Sequence, residues 1–297
     1  MIKRLKTLYP SLITEEESQS KGLYRWFMTP DNQLLGILEA EINEKEHDLL
    51  DLLLTPYLGA YPPVTEREQS WYDWIFEGTN FIHTAPKEYR FIYFTLSDAP
   101  DDPNDFREAV YGMYSYKPVI LFSSQKHGVI IEEERPDEED AITFFEMVEV
   151  FTSDFFIDVQ FFIGPYLRDL NKAHDYHAWM DQQFHHIQHF NTKPVMTYVS
   201  AVPYLMTVMK DQKVLTFLIE SILKSTIKDE ELLHTIQTFL EANSNASLAA
   251  KEMYMHRNSL QYRIDKFVEK TEVDVKQFEG AIAVYLVLLL KRQIDLA

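Results

Sequence analysis

Residues 243–264 read Asn-Ser-Asn-Ala-Ser-Leu-Ala-Ala-Lys-Glu-Met-Tyr-Met-His-Arg-Asn-Ser-Leu-Gln-Tyr-Arg-Ile, and this stretch decides the architecture of the C-terminal end of the chain. The polar run Asn243-Ser244-Asn245 interrupts a helical pattern that covers residues 230–241. A short helix over 247–253 follows, then a turn at Tyr254-Met255 and a longer helix over 256–270. Ser247 is placed as an N-cap, where a hydroxyl accepts a backbone N–H that the helix itself cannot satisfy. The small pair Ala249-Ala250 lets a crossing helix come close. Two helices joined by a tight turn are the geometry that seats the second helix in a DNA major groove.

The helix from His256 has two faces. Leu260, Ile264 and Phe267 recur at i, i+4 and i+7 and form the core face. Asn258, Gln261, Tyr262 and Lys266 project from the other side, with Arg257 and Arg263 flanking them. These residue types suit DNA. Arg forks onto guanine, Asn and Gln pair with adenine, and Lys, Tyr and Ser reach phosphates. The candidate contacts are therefore Ser247, Lys251, His256, Arg257, Asn258, Ser259, Gln261, Tyr262, Arg263 and Lys266. Asp265 and Glu269 share the outer face but lie later, whereas base contacts concentrate in the first turns of a recognition helix.

The run His256-Arg257-Asn258-Ser259-Leu260-Gln261-Tyr262-Arg263 resembles the core of the C-terminal helix-turn-helix of the PucR/CdaR family of bacterial regulators, whose pattern is His-Arg-Asn-Thr-Leu-Arg-Tyr-Arg. Seven of the eight positions agree, counting Ser259 for Thr, and Gln261 replaces an Arg and so removes a positive charge. The resemblance is close over residues 230–290, loose over the middle of the chain and absent from the first segment. It implies a DNA-binding transcription regulator with double-stranded DNA as its partner, open to control by a small-molecule effector of unstated identity. It also implies a middle domain that is a degenerate relative of the diguanylate-cyclase (GGDEF) fold.

A net charge of −19 over 297 residues speaks against a general affinity for nucleic acid, because phosphate binding needs a basic surface. The charge is unevenly spread. Residues 229–297 carry eight Lys/Arg against eleven Asp/Glu, but within 256–270 four basic residues face two acids. A local basic face on an acidic chain follows. The absence of cysteine excludes disulfides and thiolate metal sites and fits a cytoplasmic protein. The longest apolar run, residues 281–290, is too short to span a bilayer, so no membrane partner is expected. It reads as a buried helix. Since residues 278–290 are apolar nearly all round, a homodimer is predicted, through this helix or through the upstream domains, as helix-turn-helix regulators commonly pair on two half-sites.

The expected fold class is α+β in four parts. Residues 1–86 form an α/β segment of unassigned role, with a hairpin of 23–28 and 34–42 around Thr29-Pro-Asp-Asn32 and a helix over 44–54. Residues 87–190 read β-α-β-β-α-β-α, a ferredoxin-like order with helices on one face of an antiparallel sheet. Residues 191–228 are a helical linker and 229–297 the all-α DNA-binding domain. The cyclase signature would fall at the hairpin turn, where the chain has Ser123-Ser-Gln-Lys-His-Gly128 and no Gly-Gly-Asp/Glu-Glu-Phe.

The acids Glu132, Glu133, Glu134, Asp137, Glu138, Glu139 and Asp140 read as a solvated loop ahead of a helix, whose N-terminus they favour. No phosphate loop, nucleophile elbow or His-Glu-x-x-His is present, so no enzyme and no cofactor are expected. The rival is a metal- or small-molecule-binding sensor or enzyme built on the helix over 174–189, with His174, His177, His185, His186 and His189. There His185 and His189 sit at i, i+4, with Asp181 one turn earlier.

Overall fold

The computed structural model describes residues 2–14, 24–29, 34–43, 46, 49–50, 53–57, 61, 63–78, 84–100, 102–133, 143–187, 193–208 and 212–295. The chain divides into two compact units, Met1–Asp181 with Thr192–Val195 and Gln182–Asn191 with Met196–Ala297.

The first unit opens with α1 (Ile2–Leu8) and a four-stranded antiparallel sheet of β1 (Ile13–Thr14), β2 (Tyr24–Met28), β3 (Leu34–Leu38) and β4 (Thr55–Tyr57), in the order β1-β3-β2-β4. β2 and β3 form the expected hairpin, in register from Tyr24↔Leu38 to Met28↔Leu34. Its turn residues 30–33, and most of the helix expected over 44–54, lie outside the described residues. Alternation puts Phe27, Leu35 and Ile37 on a buried face with Tyr9, Leu12, Leu50 and Leu54.

A second sheet takes the order β6-β7-β5-β8-β9. Its strands are β5 (Arg90–Leu96), β6 (Val119–Phe122), β7 (His127–Glu132), β8 (Val159–Ile163) and β9 (Val195–Thr197). The pairs β5·β7, β5·β8 and β6·β7 are antiparallel. Between the strands run α3 (Pro103–Tyr111), capped by Asp102, and α4 (Phe144–Asp154), which opens with a reciprocal Thr143/Glu146 capping box. These two helices bury Ile92, Phe94, Ile120, Phe122, Ile130 and Phe161 on one face.

The other face is also covered, which corrects the expectation of helices on one face alone. α2 (Glu66–Tyr72), the π turn Asp73–Glu77 and the first turns of α5 (Ala173–Ile187) pack there. The Trp71 ring lies 5.2 Å from Tyr89 and His177 stacks on Tyr93 at 5.6 Å. Burial on both faces explains why Phe91-Ile-Tyr-Phe94 is a continuous apolar run instead of an alternating one. The α2 stretch carries no clear apolar period in the sequence, and its place comes from long-range contacts. Glu68 of α2 accepts the N–H of Ile120 at 3.3 Å while Arg107 of α3 donates to the Ile120 carbonyl at 3.1 Å, so this pair satisfies Ile120 on the open edge of β6.

The second unit is helical: α6 (Tyr198–Val208), α7 (Gln212–Leu223), α8 (Glu230–Glu241), α9 (Ala246–Glu252), α10 (Arg257–Thr271) and α11 (Phe278–Asp295). α11 packs on α6, α7 and α8, which accounts for its apolar character on several sides. Ala283, Val284, Val287, Leu288 and Leu290 are buried, whereas Phe278 and Leu289 remain exposed. The helices read as a linker thus form part of the core that holds the last helix.

Candidate nucleic-acid interface

Local chemistry fixes the three helices α8, α9 and α10. α8 starts at the Asp229 cap, whose carboxylate accepts the Leu232 N–H at 3.1 Å. It ends in a Schellman arrangement, with Ser244 N–H donating to the Phe239 carbonyl and Asn243, at φ 54°, donating to Leu240. The cap of α9 is Asn245, not Ser247 as the sequence suggested. Its amide oxygen accepts both the Ser247 and Leu248 N–H groups, at 3.0 and 3.1 Å. With Asn245 in extended backbone just outside the helix, Ser247 falls inside the first turn and points to solvent. α10 begins one residue later than its histidine, because His256 is the cap and its Nδ1 accepts the Asn258 N–H at 3.2 Å.

Leu260, Ile264 and Phe267 are fully buried, as is Ala249 of α9 beneath them. This apolar seam pins α10 and leaves the opposite face outward. Arg257, Asn258 and Ser259 in its first turn are exposed, and so are Ser247, Lys251 and His256 around it. Tyr262 is 69% exposed. Asn258, Ser259, Tyr262, Arg263 and Lys266 line one side of a cleft of about 620 Å3, with Asp229, Glu231 and Leu232 of the α8 start on the other.

Besides His256, whose ring caps α10, two of the expected contacts are engaged within the unit. Arg263 pairs with Glu231 at 2.5 Å and donates to the Thr235 hydroxyl at 3.1 Å. Gln261 donates to Asp265 at 2.9 Å, and Asp265 also accepts from Lys276 at 2.8 Å. These donors, Lys276 foremost, hold the Asp265 carboxyl below its usual range. They also offset the acid that the outer face carries. Sequence reading gave Tyr254 only the role of a turn residue. It is 99% exposed, with φ at 53°.

Among the described residues the histidine helix does not gather its side chains. His177 is buried among Tyr93, Phe91 and Phe76, with its Nδ1 3.0 Å from the Tyr93 hydroxyl. Burial, with a smaller push from His174, lowers its pKa to about 3. His174 Nδ1 lies 2.6 Å from the Ile75 carbonyl oxygen, while His186 is exposed. Among the described residues no group of three His, Asp or Glu is placed to hold a metal ion. His189 and the acids from Glu134 to Asp140 lie outside the described residues, whereas Glu132 is buried at the end of β7 on Arg90 and Glu133 pairs with Arg67, which corrects their reading as part of a solvated loop.

Three short helices, a buried seam and an outward polar first turn define a DNA-binding helix-turn-helix. Residues 232–290 match the PucR C-terminal helix-turn-helix domain, and this part of the chain is such a domain, of the class that serves transcription regulation. Over nearly its whole length the chain is similar to an uncharacterized protein of Bacillus subtilis (strain 168), YxkF, at 29% identity across 97% of this chain and 98% of that one. The proline-responsive transcriptional activator PutR of the same organism is 36% identical over 70 residues, 22% of this chain and 17% of PutR. The purine catabolism regulatory protein of B. subtilis is 32% identical over 77 residues, 26% of this chain and 14% of that protein. The similarity to the two regulators thus spans a small share of their length.

Proposed function

We propose that the chain is a transcription regulator, not an enzyme, that acts in the cytoplasm and reads a two-part operator as a homodimer, with α10 in the major groove. One observation carries the reading: Arg257, Asn258 and Ser259 stand exposed in the first turn of a helix whose opposite face is locked by Leu260, Ile264 and Phe267. A rigid helix presenting Arg and Asn at its N-terminal end is what reading base edges requires. Lys251 and Lys266 suit phosphate contacts, and Arg263 joins them once released from Glu231. No helix of the described residues is long and apolar enough to cross a membrane.

The second sheet supports a companion reading. Four of its five strands, β8-β5-β7-β6, with α3 and α4 as crossovers, follow an antiparallel order that favours a ferredoxin-like domain related to the cyclases. The turn Ser123–Gly128 lacks the acids with which a cyclase positions metal and phosphate, so this domain is expected to form no cyclic dinucleotide from GTP.

The test is selection of duplexes from a random pool by the full chain. Enriched sequences should hold two related half-sites, and affinity should fall with salt at a slope of about −0.9 per phosphate neutralised. Asn258→Ala and Arg257→Ala should each cost about 1–3 kcal/mol at one base position, while Lys266→Ala should weaken all sequences alike and flatten the salt slope by about one. Leu260→Ala serves as the folding control, since loss of this buried side chain costs about 2–5 kcal/mol and shows in circular dichroism. Parental affinity in folded Arg257 and Asn258 variants overturns the reading.

A further inference from the structure

α9 ends in a Schellman arrangement. The Met255 N–H donates to the Ala250 carbonyl at 2.9 Å and the Tyr254 N–H to Lys251 at 3.3 Å, which puts Tyr254 in the left-handed position that glycine normally fills. A bulky side chain there is strained by its own Cβ. The corresponding position at the end of α8 holds Asn243, a residue that tolerates this conformation. The Tyr254 ring offsets the strain with no burial, being 99% exposed. A strained, bare aromatic between two helices of a binding unit costs the fold and stands open to a partner.

Resting on the DNA reading above, we propose that Tyr254 is a DNA-backbone contact: its ring packs on a sugar of the strand flanking the groove that receives α10, and its hydroxyl donates to a phosphate oxygen. Its neighbours fit that surface. Lys251, His256 and Arg257 are exposed beside it, with Glu252 the acid among them. Tyrosine is suited to the task, with an apolar ring for the sugar and a donor for the phosphate. Phe156 in the first unit provides an internal comparison. It too is left-handed, at φ 55°, and 86% exposed, but it has no phenol and lies outside the helix-turn-helix.

Stability and affinity should move in opposite directions. In the full chain, Tyr254→Gly should raise the melting temperature by a few degrees, because the strain is relieved. It should also weaken binding about tenfold to a duplex that the parent has enriched from a random pool, the loss expected of about 1.4 kcal/mol. Tyr254→Phe should melt like the parent and bind about threefold more weakly, to enriched and random duplexes alike, as a backbone contact requires. Phe156→Gly should raise the melting temperature with no change in DNA affinity. A Tyr254→Gly variant that is more stable and binds like the parent overturns the contact and leaves the DNA reading intact. A lower melting temperature for that variant shows that the ring is held by its own chain and also overturns it. Parental affinity in Tyr254→Phe removes the phosphate bond. Failure of the parent to enrich any duplex overturns both readings.

Discussion

In the first unit Glu68, Glu132 and Glu133 each close on an arginine, Arg107, Arg90 and Arg67, and Glu68 and Glu132 are almost fully buried. Glu132 also accepts from the Tyr114 and Tyr166 hydroxyls, at 2.6 and 3.0 Å. In the second unit the seam of α10 is apolar from Leu260 to Phe267, with the uncharged Thr271 at its end, and Arg257, Asn258 and Ser259 stand in solvent. Among the described residues the first unit thus buries charged pairs, whereas the second keeps its charged side chains out of its core. A buried ion pair returns little net stability over an apolar pair of the same shape, yet losing one partner is severe. An exposed polar side chain on an apolar seam can be changed at almost no cost to folding. The first arrangement specifies a structure, and the second leaves a surface free to meet a partner.

The sharpest way to break this contrast is at Glu68. Its carboxylate serves Arg107, the Ile120 N–H at 3.3 Å and the Val64 N–H at 2.6 Å. Glu68→Ala should cost about 3–5 kcal/mol by leaving a buried guanidinium without its counter-charge. All four tryptophans, Trp26, Trp71, Trp74 and Trp179, lie in the first unit, so their fluorescence in a urea titration follows that unit alone. Asn258→Ala in the second unit should leave the same titration unmoved. Equal effects from the two substitutions would erase the distinction.

A smaller effect comes from His177. The unfolded chain takes up its proton near 6.5, whereas the folded site refuses it until about 3. Between those values the unfolded state holds more protons, so stability falls as pH falls, by about 1.4 kcal/mol per pH unit, and is independent of this group above the window. Between pH 6.5 and about 5, above the ordinary carboxylate range, the fluorescence-detected stability of the first unit should decline with that slope. His177→Gln should flatten it. A parent with no slope there would mean that the ring is not held neutral in its aromatic cage.

The units also differ in how far they can be read from sequence. α10 is legible because its determinants are local: three apolar residues at helical spacing, a break before it and Arg-Asn in its first turn. The strand order of the second sheet is nearly so, since each strand is a short apolar run between turn signals. The covering of its second face is not, because Trp71 meets Tyr89 and His177 meets Tyr93 across long stretches of chain. The shift of the α9 cap from Ser247 to Asn245 has the same kind of origin on a smaller scale. Both are good caps, and the choice is made by where the backbone turns after the Schellman end of α8. Polar residues on α10 were legible as a set but not one by one, since the Arg263 partner, Glu231, sits a whole element earlier.

That partner gives the mildest and most discriminating test. Glu231 holds Arg263 at 2.5 Å with its own carboxylate 74% exposed, and the Thr235 hydroxyl steadies the guanidinium from the other side at 3.1 Å. An exposed pair of this kind stabilises the fold by about 0.2–1 kcal/mol at most. For DNA binding it matters more, because Glu231 competes with phosphate for Arg263 and adds a negative charge beside Asn258 and Lys266 in the same cleft. Glu231→Gln keeps the length and a hydrogen-bonding head while removing the charge. It should therefore bind an enriched duplex a few-fold more tightly, with a salt slope steeper by about one as Arg263 turns to a phosphate. Circular dichroism and melting should stay at parental values. The direction of the affinity change decides the matter: weaker binding would show that Glu231 positions Arg263 for DNA, so that the charges of the second unit, like those of the first, serve its own structure.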